Sequence, residues 1–232
     1  MAAASEPPRP VRAGGRSAAA RPARCHVRVL RSRPDTRGGD LEQLTGSRLD
    51  EVVHDLVTGP LGMVDTGFLP TPQRCAATEV QPWTGRSLVR GEVHDENAWA
   101  LGGVAGHAGL FGTACDVALL AHAVATDGGA ALRPGSVEAM LADHGHGNGL
   151  GVDLDKPRTM GALASAATAG HTGFTGTSYV LDTRTGAVAV LLTNRVHPTR
   201  DGGAVNESRV AVAEALLPVT EAATALRPGR MR

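Results

Sequence analysis

Three stretches of the chain hold side chains able to do chemistry. The first is His171-Thr172-Gly173, followed by Phe174, Thr175, Gly176 and Thr177 at the end of a candidate strand. The glycines at 170, 173 and 176 let a ligand approach the backbone, and exposed N–H groups there could donate to an oxyanion. The same pattern also describes a plain glycine-rich strand-to-hairpin turn. The second stretch runs from His94-Asp95-Glu96-Asn97 to His107, with glycines at 102, 103, 106, 109 and 112. Two histidines and two carboxylates could bind a metal, but the His-x-x-x-His and His-x-His spacings are missing, so none is expected here. No Gly-x-x-x-x-Gly-Lys occurs either, and a tight, buried, close-packed loop is the expectation. The third is His144-Gly145-His146-Gly147, expected to be a solvated turn. Cys25, Cys75 and Cys115 form no Cys-x-x-Cys pair and are read as idle thiols. No cofactor is expected.

What is missing matters as much. The chain has a single lysine, Lys156, and a single tyrosine, Tyr179. The residue three before Lys156 is Asp153, so no Ser-x-x-Lys exists. Basic and acidic residues balance at 23 each, which gives no reason to expect nucleic acid or an anionic membrane as partner. No apolar run is long enough to span a bilayer. The N-terminus lacks the apolar core of a signal peptide, so a cytoplasmic location is the default expectation.

The elements that must position these groups follow from spacing. Residues 1–38 are rich in Ala, Arg and Pro with little periodicity beyond Val27-Arg28-Val29-Leu30; disorder is expected. A domain is expected over 39–220 and a tail over 221–232. Leu41, Leu44, Leu49, Val52, Val53, Leu56 and Val57 keep helical spacing across Gly46, with Ser47 and Asp50 as a capping-box-like start and Gly59-Pro60 as the stop. Residues 60–90 read as irregular. Thr113 caps a second helix, and Pro134 opens a third that runs to Asp143. Residues 149–154, 166–172, 177–181 and 187–193 then read as strands, the last two joined by a turn ending at Gly186. Asn206 is expected to cap a final helix. Helices, an antiparallel run and a closing helix predict an α+β fold: an antiparallel sheet covered by helices.

Four blocks, in order, carry a resemblance: Leu61-Gly62-Met63-Val64-Asp65-Thr66, Gly102-Gly103-Val104-Ala105-Gly106-His107-Ala108-Gly109-Leu110-Phe111, His171-Thr172-Gly173, and Leu191-Leu192-Thr193-Asn194-Arg195. Over about residues 40–217 the chain resembles the β-lactamase-related serine hydrolases, which include class C β-lactamases, penicillin-binding DD-peptidases and esterases. The resemblance implies a β-lactamase/transpeptidase-like fold and acyl transfer to or hydrolysis of an amide, ester or β-lactam. The substrate would be a small acyl or peptide-like molecule. It assigns His171, Thr172 and Gly173 to substrate binding and the Phe174 N–H to the oxyanion hole. The family's Ser-x-x-Lys nucleophile and its tyrosine motif have no match here, so no catalytic residue is identified. The expectation is an N-terminally incomplete, catalytically incomplete family member. The alternative is a non-catalytic binding or regulatory module that retains the acyl-substrate groove.

Overall fold

The structure, a computed structural model, describes residues 33–226. The expectations for residues 1–32 and 227–232 lie outside the described residues. The helix α1 (Arg33–Thr45) already crosses residue 38, and α8 (Leu217–Ala225) crosses residue 220, so both expected boundaries fall inside helices.

Gly46, at φ 72°, breaks α1 from α2 (Leu49–Val53), which continues as a short π-helix, His54–Thr58, up to Gly59. The cap differs from the expected Ser47 and Asp50. Arg48 is the N-cap residue; its N–H donates to Glu51 Oε2 at 3.2 Å, and the Leu49 N–H donates to Glu42 Oε1 at 2.8 Å. The reason is that Thr45 Oγ1 accepts the Ser47 N–H at 3.3 Å, which shifts the first free helical donors one residue on.

Residues 60–90 are less irregular than expected. They contain a two-stranded antiparallel ribbon, β1 (Ala77–Val80) with β2 (Leu88–Arg90). After α3 (Glu96–Ala100), the glycine-rich block packs tightly, as its composition predicted. A Cβ at Gly109 would sit 2.3 Å from the Gly103 carbonyl oxygen, and one at Gly112 would sit 2.5 Å from Thr66 Oγ1. Helix α4 (Ala114–Ala125) starts on the expected cap, with the Asp116 N–H on Thr113 Oγ1 at 3.2 Å. The Asp116 carboxylate turns instead to the Asp65 N–H and the Thr66 hydroxyl, each at 2.8 Å. This one side chain ties the Leu61–Thr66 block to the helix.

Beyond α5 (Pro134–Leu141) the main sheet has the order β3-β4-β5-β6, all antiparallel: β3 (Asp153–Leu154), β4 (Thr168–Thr172), β5 (Ser178–Asp182) and β6 (Ala187–Leu191). Three of the four strands are shorter than predicted, β5 keeps its length one residue further on, and all lie in the predicted places. Alternation splits the sheet between two cores. Ala169 and Leu181 pack with Ala121, Val124 and Ala125 of α4. Val180 packs on the other face with Met160 of α6 (Pro157–Met160), Leu163 and Ala213 of α7 (Asn206–Glu214). The predicted antiparallel sheet covered by helices is therefore what forms. Asn206 is the first residue of α7 rather than its cap, and its Oδ1 accepts from Arg209 Nη1 at 3.0 Å.

Leu181 is fully buried at the centre of the α4 core. Leu181→Ala is expected to cost about 2–5 kcal/mol in urea unfolding; a loss well under 1 kcal/mol would mean that this core is not packed as described.

Candidate functional site

The turn between β4 and β5 is built by hydrogen bonds that leave its carbonyls no freedom. The ladder runs unbroken from Thr168↔Asp182 to Thr172↔Ser178, and the Gly173 N–H closes it on the Thr177 carbonyl at 2.8 Å. The Gly173 carbonyl accepts the Gly176 N–H at 3.1 Å and Arg209 Nη2 at 2.8 Å. The Phe174 carbonyl accepts Arg195 Nε at 2.8 Å, and the Thr175 carbonyl accepts the Arg195 N–H at 2.9 Å. The Gly176 carbonyl accepts the Thr193 hydroxyl at 2.7 Å, and the Thr177 carbonyl also accepts Arg209 Nη2 at 3.2 Å. Glycines suit both positions. A Cβ at Gly173 would lie 2.2 Å from Thr177 Oγ1, and Gly176 has φ 116°. The N–H groups of Phe174, Thr175 and Thr177, by contrast, have no acceptor among the described residues.

His171 and Thr172 sit just before this turn. The pairing of β4 with β3 ends at Gly170↔Asp153, so beside His171 and Thr172 the far edge of β4 has no strand partner among the described residues. Alternation puts their side chains on opposite faces: His171, exposed, shares the face of Ala169, and Thr172 shares that of Gly170. They meet at the open edge rather than over one face. On the Thr172 side a shallow cleft is lined by Thr159, Thr172, Ser178, Val180, Arg209 and Val212.

The second stretch reaches the same turn by an unexpected route. His94 is buried, and its Nε2 lies 2.9 Å from Glu79 Oε2. Its ring packs against Phe174, with centroids 5.7 Å apart. Glu79 is 1% exposed and also receives the Arg200 Nε–H on both oxygens at 2.9 Å, Nη2–H at 2.7 Å and backbone N–H at 2.8 Å. Arg200 bridges on to Glu96 Oε1 at 2.6 Å and lies over the Trp83 ring at 4.8 Å. Arg195 lies 4.8 Å over the Phe174 ring. Phe174 thus stands among His94, Arg195 and Arg200. The Arg200 guanidinium, then the Gln81 and His94 contacts, hold the Glu79 carboxyl down at about 2 against the cost of burial. Elsewhere in this stretch His107 Nε2 lies 3.0 Å from Asp95 Oδ1. No group of His, Cys, Asp and Glu among the described residues is placed to cage a metal.

Sequence reasoning did not single out Glu79, Arg200 or Arg209, and it named Arg195 only as the end of the Leu191–Arg195 block. Glu79 lies in the strand hidden in the stretch read as irregular. Arg200 and Arg209 gain their meaning from contacts more than thirty residues distant in the chain, such as Arg209 to Gly173. The one legible signal was that nearly every cation is an arginine, the residue suited to fixing several acceptors at once.

The single lysine and the single tyrosine both have other surroundings. Lys156 Nζ donates to the His146 carbonyl at 2.7 Å. The His144–Gly147 segment is a turn, as expected, with Asp143 Oδ1 accepting the N–H groups of Gly145, Gly147 and Asn148. Tyr179 pairs directly with His171 across the ladder, but burial, helped by the Asp153 charge, pushes its hydroxyl up to about 12. At neutral pH its phenolate fraction would be on the order of one in 10⁵.

The fold and the ordered blocks agree with the comparisons. The β-lactamase family model matches residues 38–214, and the chain belongs to that family. It is 34% identical over 187 residues to a putative D-alanyl-D-alanine carboxypeptidase of Escherichia coli K12, covering 68% of this chain and 42% of that protein. The chain therefore spans less than half the length of this relative. Among solved structures, a β-lactamase from Mycobacterium bovis superposes with a TM-score of 0.55 at 18% identity, covering 78% of this chain and 60% of the other. EstCE1, a hydrolase with promiscuous acyltransferase activity, gives 0.53 at 24% identity, with coverages of 78% and 54%. At these identities the two structures speak for the fold. No helix among the described residues is long and apolar enough to cross a membrane.

Because its folded pKa is depressed, ionised Glu79 stabilises the fold above the ordinary carboxyl value of 4.5, and that contribution is lost as the pH falls towards 2. Thermal unfolding between pH 5 and pH 2, approximate bounds set by those two values, should show a steeper fall in Tm for the native chain than for Glu79→Gln. Parallel curves would contradict the role given to the Glu79–Arg200 pair.

Proposed function

We propose that this chain supplies the substrate-facing wall of a β-lactamase-family acyl-transfer site and lacks the nucleophile that such a site uses. Its domain, about residues 39–220, offers the Phe174 N–H to the oxygen of the scissile carbonyl. His171 and Thr172, at the open edge of β4, contact the carbonyl or carboxylate of a small acyl or peptide-like substrate. The observation that carries the reading is the pattern of the 173–177 turn: its carbonyls are engaged while the Phe174 N–H, the first after His171-Thr172-Gly173, is among the turn's donors with no acceptor among the described residues. A donor left open beside an unpaired strand edge fits an acyl group lying in extended form along that edge.

The family's reaction needs a serine whose proton a neighbouring base removes. Nucleophile and base work as a unit, and an oxyanion donor alone gives only a small residue of the rate. The engagement of Lys156 with His146 and the raised value at Tyr179 support a site that binds without turnover. The substrate class follows the relative named as a D-alanyl-D-alanine carboxypeptidase: an acyl dipeptide with a free carboxylate, or its β-lactam mimic.

Intact mass spectrometry after incubation with a fluorophosphonate and with penicillin is expected to show no covalent adduct. An adduct abolished by mutating one serine would overturn the missing-nucleophile reading. Titration with N-acetyl-D-alanyl-D-alanine is expected to show saturable binding that weakens in Thr172→Val. Absence of binding at millimolar ligand would count against the retained groove.

A further inference from the structure

The inner face of α7 holds a guanidinium with an unusual set of partners. Arg209 is 9% exposed, yet no carboxylate pairs with it among the described residues. Its acceptors are Asn206 Oδ1 and the carbonyls of Gly173 and Thr177, the two ends of the turn, and its Nε has no partner. Burial of an unpaired cation is costly, and the nearby Arg195 and Arg158 add repulsion. A fold needing only to close this turn could do so with a neutral donor.

One peptide explains the arrangement. The carbonyl that Arg209 holds at 2.8 Å belongs to the Gly173–Phe174 peptide, whose other end is the open Phe174 N–H. A trans peptide is planar, so fixing the direction of its C=O fixes the direction of its N–H. A charged donor on the oxygen also polarises the amide and makes the N–H a stronger donor. With the Gly176 N–H on the same oxygen at 3.1 Å, that peptide is held on its carbonyl side by two donors.

We propose that Arg209 is a positioning residue for the acyl site: it orients and polarises the Gly173–Phe174 peptide so that the Phe174 N–H meets a developing oxyanion. This rests on the reading of Phe174 as the oxyanion donor. Asn206 in turn aims Arg209, which gives a reason for its place at the start of α7 in contact with the guanidinium rather than as a cap.

The test is NMR on the full chain labelled with ¹⁵N and ¹³C, titrated with methylphosphonate as a small oxyanion. In the native chain the Phe174 amide should move saturably. In Arg209→Met the Gly173 carbonyl resonance should shift and the apparent affinity should fall by about tenfold, the scale of one charge-assisted hydrogen bond, while core amides such as Leu181 stay in place. Millimolar guanidinium added to Arg209→Gly should restore part of the affinity, which a general packing defect would not allow. Unchanged affinity at Phe174 in Arg209→Met would overturn the role of Arg209 and leave the acyl-site reading standing. A moved Gly173 carbonyl with a native Phe174 amide that ignores the probe would support the peptide clamp and overturn the acyl-site reading. Should Arg209→Met fail to fold, Asn206→Ala decides: a smaller loss in the same direction supports the proposal, and native affinity overturns it.

Discussion

The 2.8 Å hydrogen bond from the Gly173 N–H to the Thr177 carbonyl closes the β4–β5 ladder, and the rest of the candidate site depends on it. It fixes where the strand pair stops and the turn begins. The close approach of the strands there favours glycine, because a Cβ at 173 would meet Thr177 Oγ1 unless that hydroxyl turned away. From that closure the remaining contacts follow: the two arginines on the turn's carbonyls, the Thr193 hydroxyl on Gly176, and the exposed ring of Phe174 between His94 and Arg195. A one-residue slip in the ladder would exchange the faces of His171 and Thr172 and carry the turn away from both arginines.

Distant parts of the chain converge on this turn in a division of labour. The sheet sets its height through Ala169, Val180 and Leu181, which are buried between α4 and α7. The β1 strand contributes Glu79, whose carboxylate gathers Arg200 and His94 behind Phe174. Asp116 binds the Leu61–Thr66 block to α4, and that block in turn packs on the glycine-rich loop that follows α3. The polar interior is built largely from arginine forks and carboxylates. With aromatics only 3% of residues, such multidentate contacts supply fixed geometry that large rings supply elsewhere.

Much of this was legible in the sequence, for identifiable reasons. The main-sheet strands showed through their period and through Gly186, and α4 showed through Thr113, because these signals are local. The ordered blocks pointed to the family, whose model matches residues 38–214. The β1–β2 ribbon escaped notice because Ala77-Thr78-Glu79-Val80 carries a buried carboxylate where a strand pattern would show an apolar residue. That carboxylate is tolerated only because Arg200, 121 residues on, neutralises it. The cap at Arg48 escaped for a similar reason: Ser47, expected to be the cap, is instead tied by its N–H to Thr45 Oγ1. The sequence located His171-Thr172-Gly173; that the edge of β4 beside them is left without a strand partner needed the pairing, which stops at Gly170↔Asp153.

The central claim is that the Phe174 N–H is an open oxyanion donor in a chain without a matching nucleophile. A crystal structure of the chain grown with a phosphonate analogue of an acyl dipeptide tests it most directly. The account predicts a phosphonate oxygen about 2.7–3.1 Å from the Phe174 nitrogen, the ligand running along the β4 edge past His171 and Thr172, and no density joining it to any side chain. A phosphorus atom bonded to a serine, or a ligand seated away from Phe174, would contradict it.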